Sequence, residues 1–310
     1  MILAVVGPTG IGKTEAAVAV ARRVPSEIVV IDSMQVYRGM DRGTGKPDAS
    51  LQQEIPHHGL DLIEPEQEFD AVSFRNRIVP VIQGIQGRGH LPILVGGSGL
   101  YMRAVLDGLC HAPGKDPFRR EQLLREGQEK GAVVLHTRLA GVDPTAAERI
   151  HPNDLRRIVR ALEVFLVSGR PLTHWQEETT QPLEGEKRLV GLTCDRGLLY
   201  RRIEERIGGW LKAGWLEEAR GLSRRNLSRT AREALGYREL FAHLEGESDW
   251  ETTVSLIKRN TRRYAKRQLA WFRADPRVEW IPVDEMAPEM AASQILERMK
   301  WNAPSLSTSA

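Results

Sequence analysis

Short runs of apolar, largely β-branched residues punctuate this chain at 1–6, 27–31, 91–95 and 187–192. Runs of that length, bounded by glycine or polar turn residues, predict buried strands of a parallel sheet. An alanine-rich stretch over 15–23 reads as the helix after the first strand. The pattern then changes at the breaker Pro113-Gly114-Lys115-Asp116-Pro117, and from 116 to 183 it is charged and helical. Within that region Asn153 caps a predicted helix over 154–168, which ends at Gly169-Arg170-Pro171. Leu155, Ile158, Leu162 and Phe165 or Leu166 form its apolar stripe. The expected architecture is α/β: a parallel sheet flanked by helices, built from 1–115 and 184–300, with an all-helical domain inserted at 116–183. The tail at 301–310 reads as disordered.

Length and composition narrow the class. The chain has 310 residues, enough for cores of this kind, and 41% of them are hydrophobic, as in globular proteins. No apolar run approaches the roughly 18 residues of a membrane span. The first apolar run leads straight into a glycine loop, so it reads as a strand and not a signal peptide. A cytoplasmic protein with no membrane partner is expected. Cys110 and Cys194 lie far apart and in no metal-binding spacing, which predicts plain thiols in a reducing compartment.

The candidate chemistry begins where the first strand ends. Gly7-Pro8-Thr9-Gly10-Ile11-Gly12-Lys13-Thr14 matches G-x-x-x-x-G-K-[ST] at every fixed position, between a strand and a helix. Backbone N–H groups of such a loop turn onto phosphate oxygens, Lys13 adds a point charge, and the Thr14 hydroxyl is placed for Mg²⁺. The core is therefore P-loop NTPase-like, and most such loops hold a nucleoside triphosphate such as ATP. The loop implies a polyphosphate without saying which bond breaks. Asp32 ends the second strand, on the sheet edge where ligands bind in open α/β folds. It could act as a general base or reach Mg²⁺ through water, although a turn aspartate would look the same. Gly96-Gly97-Ser98-Gly99 follows the strand at 91–95, which lacks the terminal acid many triphosphatases use for Mg²⁺.

Charge adds a second theme. The net charge is only +3, yet residues 254–273 hold seven basic residues and no acid. At about 100° per residue, Lys258, Arg262, Lys266 and Arg273 form one stripe, with Arg259, Arg263 and Arg267 beside it. Ile257, Tyr264 and Trp271 recur on the opposite side, which is expected to pack on the protein. Like charges at i,i+4 weaken a helix, and a polyanion offsets that repulsion. Nucleic-acid phosphates are the direct reading, and a solvated basic face is the alternative. Arg156, Arg157 and Arg160 repeat the theme in the insertion, with no local acid expected beside them.

These features together resemble the bacterial tRNA dimethylallyltransferases, also called tRNA isopentenyltransferases. The resemblance spans roughly residues 2–282. It rests on "GPTGIGKT" (7–14), "DSMQVYRGMDRGTGKP" (32–47), "HHGLDLIEP" (57–65), "GGSGLYMRAVLDGL" (96–109), "HPNDLRRIVRALEV" (151–164), "EALGYREL" (233–240) and "KRQLAWFR" (266–273). The set is specific, whereas its first member alone is not. Ser98 stands where threonine is common, and Gly10 and Gly45 stand where alanine is common. The zinc finger of eukaryotic relatives cannot be built from two cysteines.

The resemblance implies transfer of a dimethylallyl group from dimethylallyl diphosphate to the N6 amine of adenosine 37 in the tRNA anticodon stem-loop, by a monomer using Mg²⁺. The loop then holds a leaving group and no phosphoryl group moves. It implies catalytic roles for Asp32 as general base and for Lys13 and Thr9 on the diphosphate. Gly7, Pro8, Thr9, Gly10, Ile11, Gly12, Lys13 and Thr14 would bind the diphosphate. Ser33, Met34 and Gln35 would join Asp32 at the target base. Further tRNA contacts are implied at Ser98, Arg120, Arg156, Arg157, Arg160, Gly236, Tyr237, Arg238, Lys266, Arg267, Gln268, Trp271 and Arg273.

Three rival readings remain at this stage. A P-loop small-molecule kinase explains the loop and Asp32 but leaves the basic helix idle. An adenylate prenyltransferase acting on free AMP, ADP or ATP would not need a tRNA grip. An RNA-binding protein with a degenerate site conflicts with intact Lys13, Thr14 and Asp32.

Overall fold

β1 (Ile2–Val6) is fully buried along its length. It lies inside a six-stranded sheet in a computed structural model that describes residues 1–110, 112–113, 116–178 and 181–300. The other strands are β2 (Ser26–Val30), β3 (His57–His58), β4 (Leu91–Gly96), β5 (Lys187–Thr193) and β6 (Val278–Pro282). Their order is β3-β2-β4-β1-β5-β6, and every pairing is parallel. Strands covered on both faces need no polar alternation, which explains the unbroken apolar runs in the sequence. The tail at 301–310 and the breaker residues Gly114 and Lys115 lie outside the described residues.

The strand order creates a crevice. After β1 the chain passes over the position of β4 to form β2, then returns to insert β4 beside β1. From β4 it crosses to the other side of β1 to form β5. Loops that leave β1 and β4 in opposite directions part from each other, so a ligand crevice opens beyond their carboxyl ends. The Lys13–Ala21 helix follows β1 and buries Ala16 to Val20 almost completely. Small side chains let it lie close to β2 and β4 on one side and to the Pro288–Arg298 helix on the other.

The chain divides into two compact units: Met1–Val105 with the chain from Glu184 onward, and Leu106–Leu183. The second unit starts at Leu106, earlier than the break read at 116, and the Leu183 amide donates to the Leu106 carbonyl at 3.0 Å where its two ends meet. Its described residues form helices at Pro117–Lys130, Ala132–Val142, Pro144–Arg149, Leu155–Ser168 and Leu172–Glu177. Leu123, Leu135, Leu139, Ile158 and Leu162 make its separate core. Asp154, not Asn153, caps the Leu155–Ser168 helix by accepting the Arg157 amide at 3.2 Å. No helix among the described residues is long and apolar enough to cross a membrane.

Glu163 is 0% exposed inside this helical unit. Its Oε1 accepts the Asp116 amide at 2.9 Å, and its Oε2 accepts Arg120 at 2.5 Å and Arg160 at 3.0 Å. Arg160 also donates to the Pro113 carbonyl at 2.8 Å. This corrects the expectation that the arginines of this helix lack a local acid, since Arg157 also pairs with Asp154 at 3.3 Å. Arg156 is exposed and has no acidic partner among the described residues. A buried carboxylate serving two guanidiniums and a loop amide ties Asp116 and Arg120 to the Leu155–Ser168 helix, and its removal leaves those donors unsatisfied. Glu163→Ala should therefore cost about 3 kcal/mol or more. Hydrogen-exchange mass spectrometry should register the loss as faster exchange across 116–178.

Candidate active site

The loop after β1 reaches its helix through Gly12, whose left-handed φ of 99° leaves the N-terminus of the Lys13–Ala21 helix without a side-chain cap. The first amides of that helix are thus free for an anion. The Lys13 ammonium donates to the Pro8 carbonyl at 2.8 Å. Thr9 is held at both ends: its amide donates to Gln268 Oε1 at 2.8 Å, and its hydroxyl accepts from Arg206. Thr14 lines the same cavity as Lys13 and Asp32.

Arg206 is the main residue that sequence reading missed. It lies on the Arg196–Lys212 helix, one turn from Ile203 on the core-facing side. The guanidinium sits 4.5 Å above the Trp210 ring, and its Nε is buried without a partner. An arginine on the apolar stripe of Leu199, Ile203 and Ile207 was the available signal. Burial and the neighbouring Arg206 charge push the Lys13 amine down to about 8, against weaker opposing pulls from Asp32 and Glu15. Two cations confined together, one with an orphaned donor, form a site that a polyanion completes.

Asp32 follows β2 on the same edge. One carboxylate oxygen accepts the Met34 amide at 2.8 Å and the Gln35 amide at 3.3 Å. Burial raises its pKa above the ordinary value of 3.8, although those amides, Lys13 and Arg206 pull the other way. The Ser33 amide donates to Ser98 Oγ at 3.2 Å, joining the loops after β2 and β4. The Gln35 side-chain amide donates one of its two N–H groups to the Thr44 carbonyl at 3.0 Å. Met34 is half-buried in the same turn. A small enclosed cavity of ≈ 90 Å³ lies among Lys13, Asp32 and Arg206, with Ile28, Val30 and Val95 as apolar wall. A wider cleft of ≈ 900 Å³ opens beside the phosphate loop, past Arg202 and Trp210. Among the described residues, no three His, Cys, Asp or Glu side chains cluster to hold a metal.

The expected RNA contacts separate into several groups. On the Trp250–Arg273 helix, Arg259, Arg263, Lys266, Arg267 and Arg273 are exposed and have no acidic partner among the described residues. Lys258 and Arg262 instead meet Glu204, at 3.9 Å and 2.5 Å. The buried stripe of this helix is Ile257, Thr261, Ala265, Gln268 and Phe272, which corrects the seven-residue pattern of Ile257, Tyr264 and Trp271. Trp271 is 41% exposed. Gln268 is interior, and so is Tyr237, whose hydroxyl donates to Glu218 at 2.5 Å and accepts the Gly43 amide at 3.2 Å. Neither side chain is on the exposed surface of the protein. Gly236 carries no side chain because the Trp215 ring fills that space, and its amide donates to Glu239 at 2.7 Å. Arg238 pairs with Glu239 at 2.8 Å.

If Arg206 supplies charge to the anion site, Arg206→Leu should weaken inorganic diphosphate binding by about ten- to a hundredfold. Titration calorimetry reads this directly, and an unchanged affinity would remove Arg206 from the site.

The IPP transferase family profile matches residues 35–275. The chain is 45% identical to the tRNA dimethylallyltransferase of Symbiobacterium thermophilum, over 97% of this chain and 96% of the relative. It is 46% identical to that of Geobacter sulfurreducens, over 89% of each. The solved tRNA isopentenylpyrophosphate transferase of Bacillus halodurans superposes with a TM-score of 0.68 at 37% identity, covering 96% of this chain and 98% of that one. A eukaryotic dimethylallyltransferase acting on tRNA shares the fold, with a TM-score of 0.80 at 24% identity over 98% of this chain and 80% of that one. With the phosphate loop, the buried cations and Asp32 on one sheet edge, the chain belongs to the IPP transferase family.

Proposed function

We propose that this protein transfers the dimethylallyl group of dimethylallyl diphosphate to the N6 amine of adenosine 37, 3′ to the anticodon of tRNA. The observation that carries the reading is the cavity in which Asp32 faces Lys13 and Arg206 beside an apolar wall. A prenyl diphosphate has the matching division into a charged head and an apolar tail. The tRNA dimethylallyltransferase relatives support the choice of acceptor. So does the face of unpaired cations on the Trp250–Arg273 helix.

In the reaction the N6 nitrogen bonds to C1 of the dimethylallyl group. The C1–O bond breaks, and its electron pair leaves on diphosphate. The N6 proton passes to Asp32. An aromatic amine is a weak nucleophile, so a base acting in the transition state assists it. Lys13, Arg206 and the loop amides stabilise charge growing on the leaving group. Mg²⁺ would be held by the Thr14 hydroxyl, and when bound it neutralises phosphate charge. Within the same reading the enzyme is a cytoplasmic monomer that grips the anticodon stem-loop.

The test is transfer from radiolabelled dimethylallyl diphosphate, with unmodified tRNA and free AMP offered in parallel. Label should enter tRNA and be lost when adenosine 37 is replaced. Label in AMP alone would identify an adenylate prenyltransferase instead. Activity on tRNA should also fall steeply with added salt.

Asp32→Asn should lower kcat by about a hundred- to ten-thousandfold while tRNA binding stays near wild type. A base works only when ionised, so kcat/KM falls as pH drops through the Asp32 pKa. Because burial raises that value, the acid limb should lie above the ordinary 3.8, and it should vanish from the residual activity of the variant.

A further inference from the structure

Gln268 sits on the buried face of a helix whose outer face carries Arg259, Arg263, Lys266, Arg267 and Arg273. It is 5% exposed, and both ends of its carboxamide are used. Oε1 accepts the Thr9 amide of the phosphate loop at 2.8 Å. Nε2 donates to the Gly97 carbonyl, in the turn after β4, at 3.0 Å. A side chain at 97 is excluded, because its Cβ would fall 2.0 Å from Gln268 Nε2. One turn earlier on the same helix, Tyr264 lines the same cavity as Gln268, Lys13 and Asp32. Ser98 accepts the Ser33 amide beside Asp32. One turn later, the Trp271 ring closes over Gly99.

The loops after β1 and β4 diverge at the crevice, so the sheet alone does not hold them together. Gln268 is the group that bridges them. It also takes the Thr9 amide, which in an open loop would be free to turn inward. We propose that Gln268 is a positioning residue for the diphosphate: it sets the shape of the phosphate loop from the buried side of the RNA-facing helix and does not itself touch RNA. The inference builds on the prenyl-transfer reading, and its binding test needs only inorganic diphosphate.

Gln268→Leu keeps the volume and removes both hydrogen bonds. A thermal melt checks that the variant is folded. Calorimetry with inorganic diphosphate should show affinity down by about tenfold. In steady state, kcat should fall at least as far, while KM for tRNA stays within about threefold of wild type because the outer cations are untouched.

Gln268→Glu gives a second readout that a merely structural role would not move. Its ionised carboxylate faces the Gly97 carbonyl, whereas its protonated form can donate there as the amide does. Burial raises the pKa of such a carboxyl. Diphosphate affinity relative to wild type should therefore be low at about pH 8 and recover toward about pH 6.

Unchanged diphosphate affinity in a folded Gln268→Leu protein would overturn the proposal, as would a flat pH ratio for Gln268→Glu. A KM for tRNA raised about tenfold with diphosphate binding intact would make Gln268 an RNA contact instead. If the wild-type protein failed to prenylate tRNA but bound diphosphate in a Gln268-dependent way, the acceptor reading would fall and the positioning role would stand.

Discussion

Like charges confined to a cleft repel, and the functional edge of this protein is organised around that repulsion. Lys13 and Arg206 are brought together by parts of the chain far apart in sequence, and burial, with the Arg206 charge second, pushes the Lys13 amine down to about 8. What holds them is the framework behind. β1 is buried on every side and carries the loop, the Arg196–Lys212 helix carries Arg206, and the helix with Gln268 braces the loop from inside. A framework that keeps two cations close before any ligand arrives has already met the cost of organising an anion site. The arriving diphosphate gains from charges that need not move.

The parts of the site that depend on neighbours in sequence were legible from the chain alone. Seven residues of spacing specify the phosphate loop, because backbone amides do most of its work and only glycine, Lys13 and Thr14 have to be fixed. Asp32 was legible because a β-branched strand ends just before it. Arg206 was not, since its partner Thr9 is 197 positions away and nothing local marks the residue except an arginine on an apolar stripe. Gln268 was visible only as a member of a basic motif and was read as a tRNA contact. Its partner Thr9 is 259 positions distant, and only the fold shows which way it points.

The same limit applies to Glu163. In sequence it is one acid on a helix with three arginines, and the apolar stripe of Leu155, Ile158 and Leu162 says nothing about it. In the structure it is wholly buried and serves two guanidiniums and an amide. Arg120 and Arg160 are thereby fixed in place by an internal partner. Arg156 keeps its charge outward. Counting arginines along the helix therefore overstates the charge offered to RNA, and burial separates the fixed from the free.

The Trp250–Arg273 helix combines both kinds of residue along one element. Its exposed cations repel one another at i,i+4, which weakens an isolated helix by a few tenths of a kcal/mol per pair. Its inner face has to make up that loss, yet the face includes Thr261 and Gln268 among Ile257, Ala265 and Phe272. A buried carboxamide left unsatisfied costs about 1–3 kcal/mol, so an apolar residue at 268 would be the simpler choice for stability alone. The polar choice is tolerated because both of its ends find partners, and those partners are the loops that form the diphosphate site. Where a helix must both repel itself on one side and hold polar groups on the other, packing is not the only demand on its sequence. Of the polar positions in that stripe, Thr261 bonds back to its own helix, and Gln268 is the one that reaches the loops of the site.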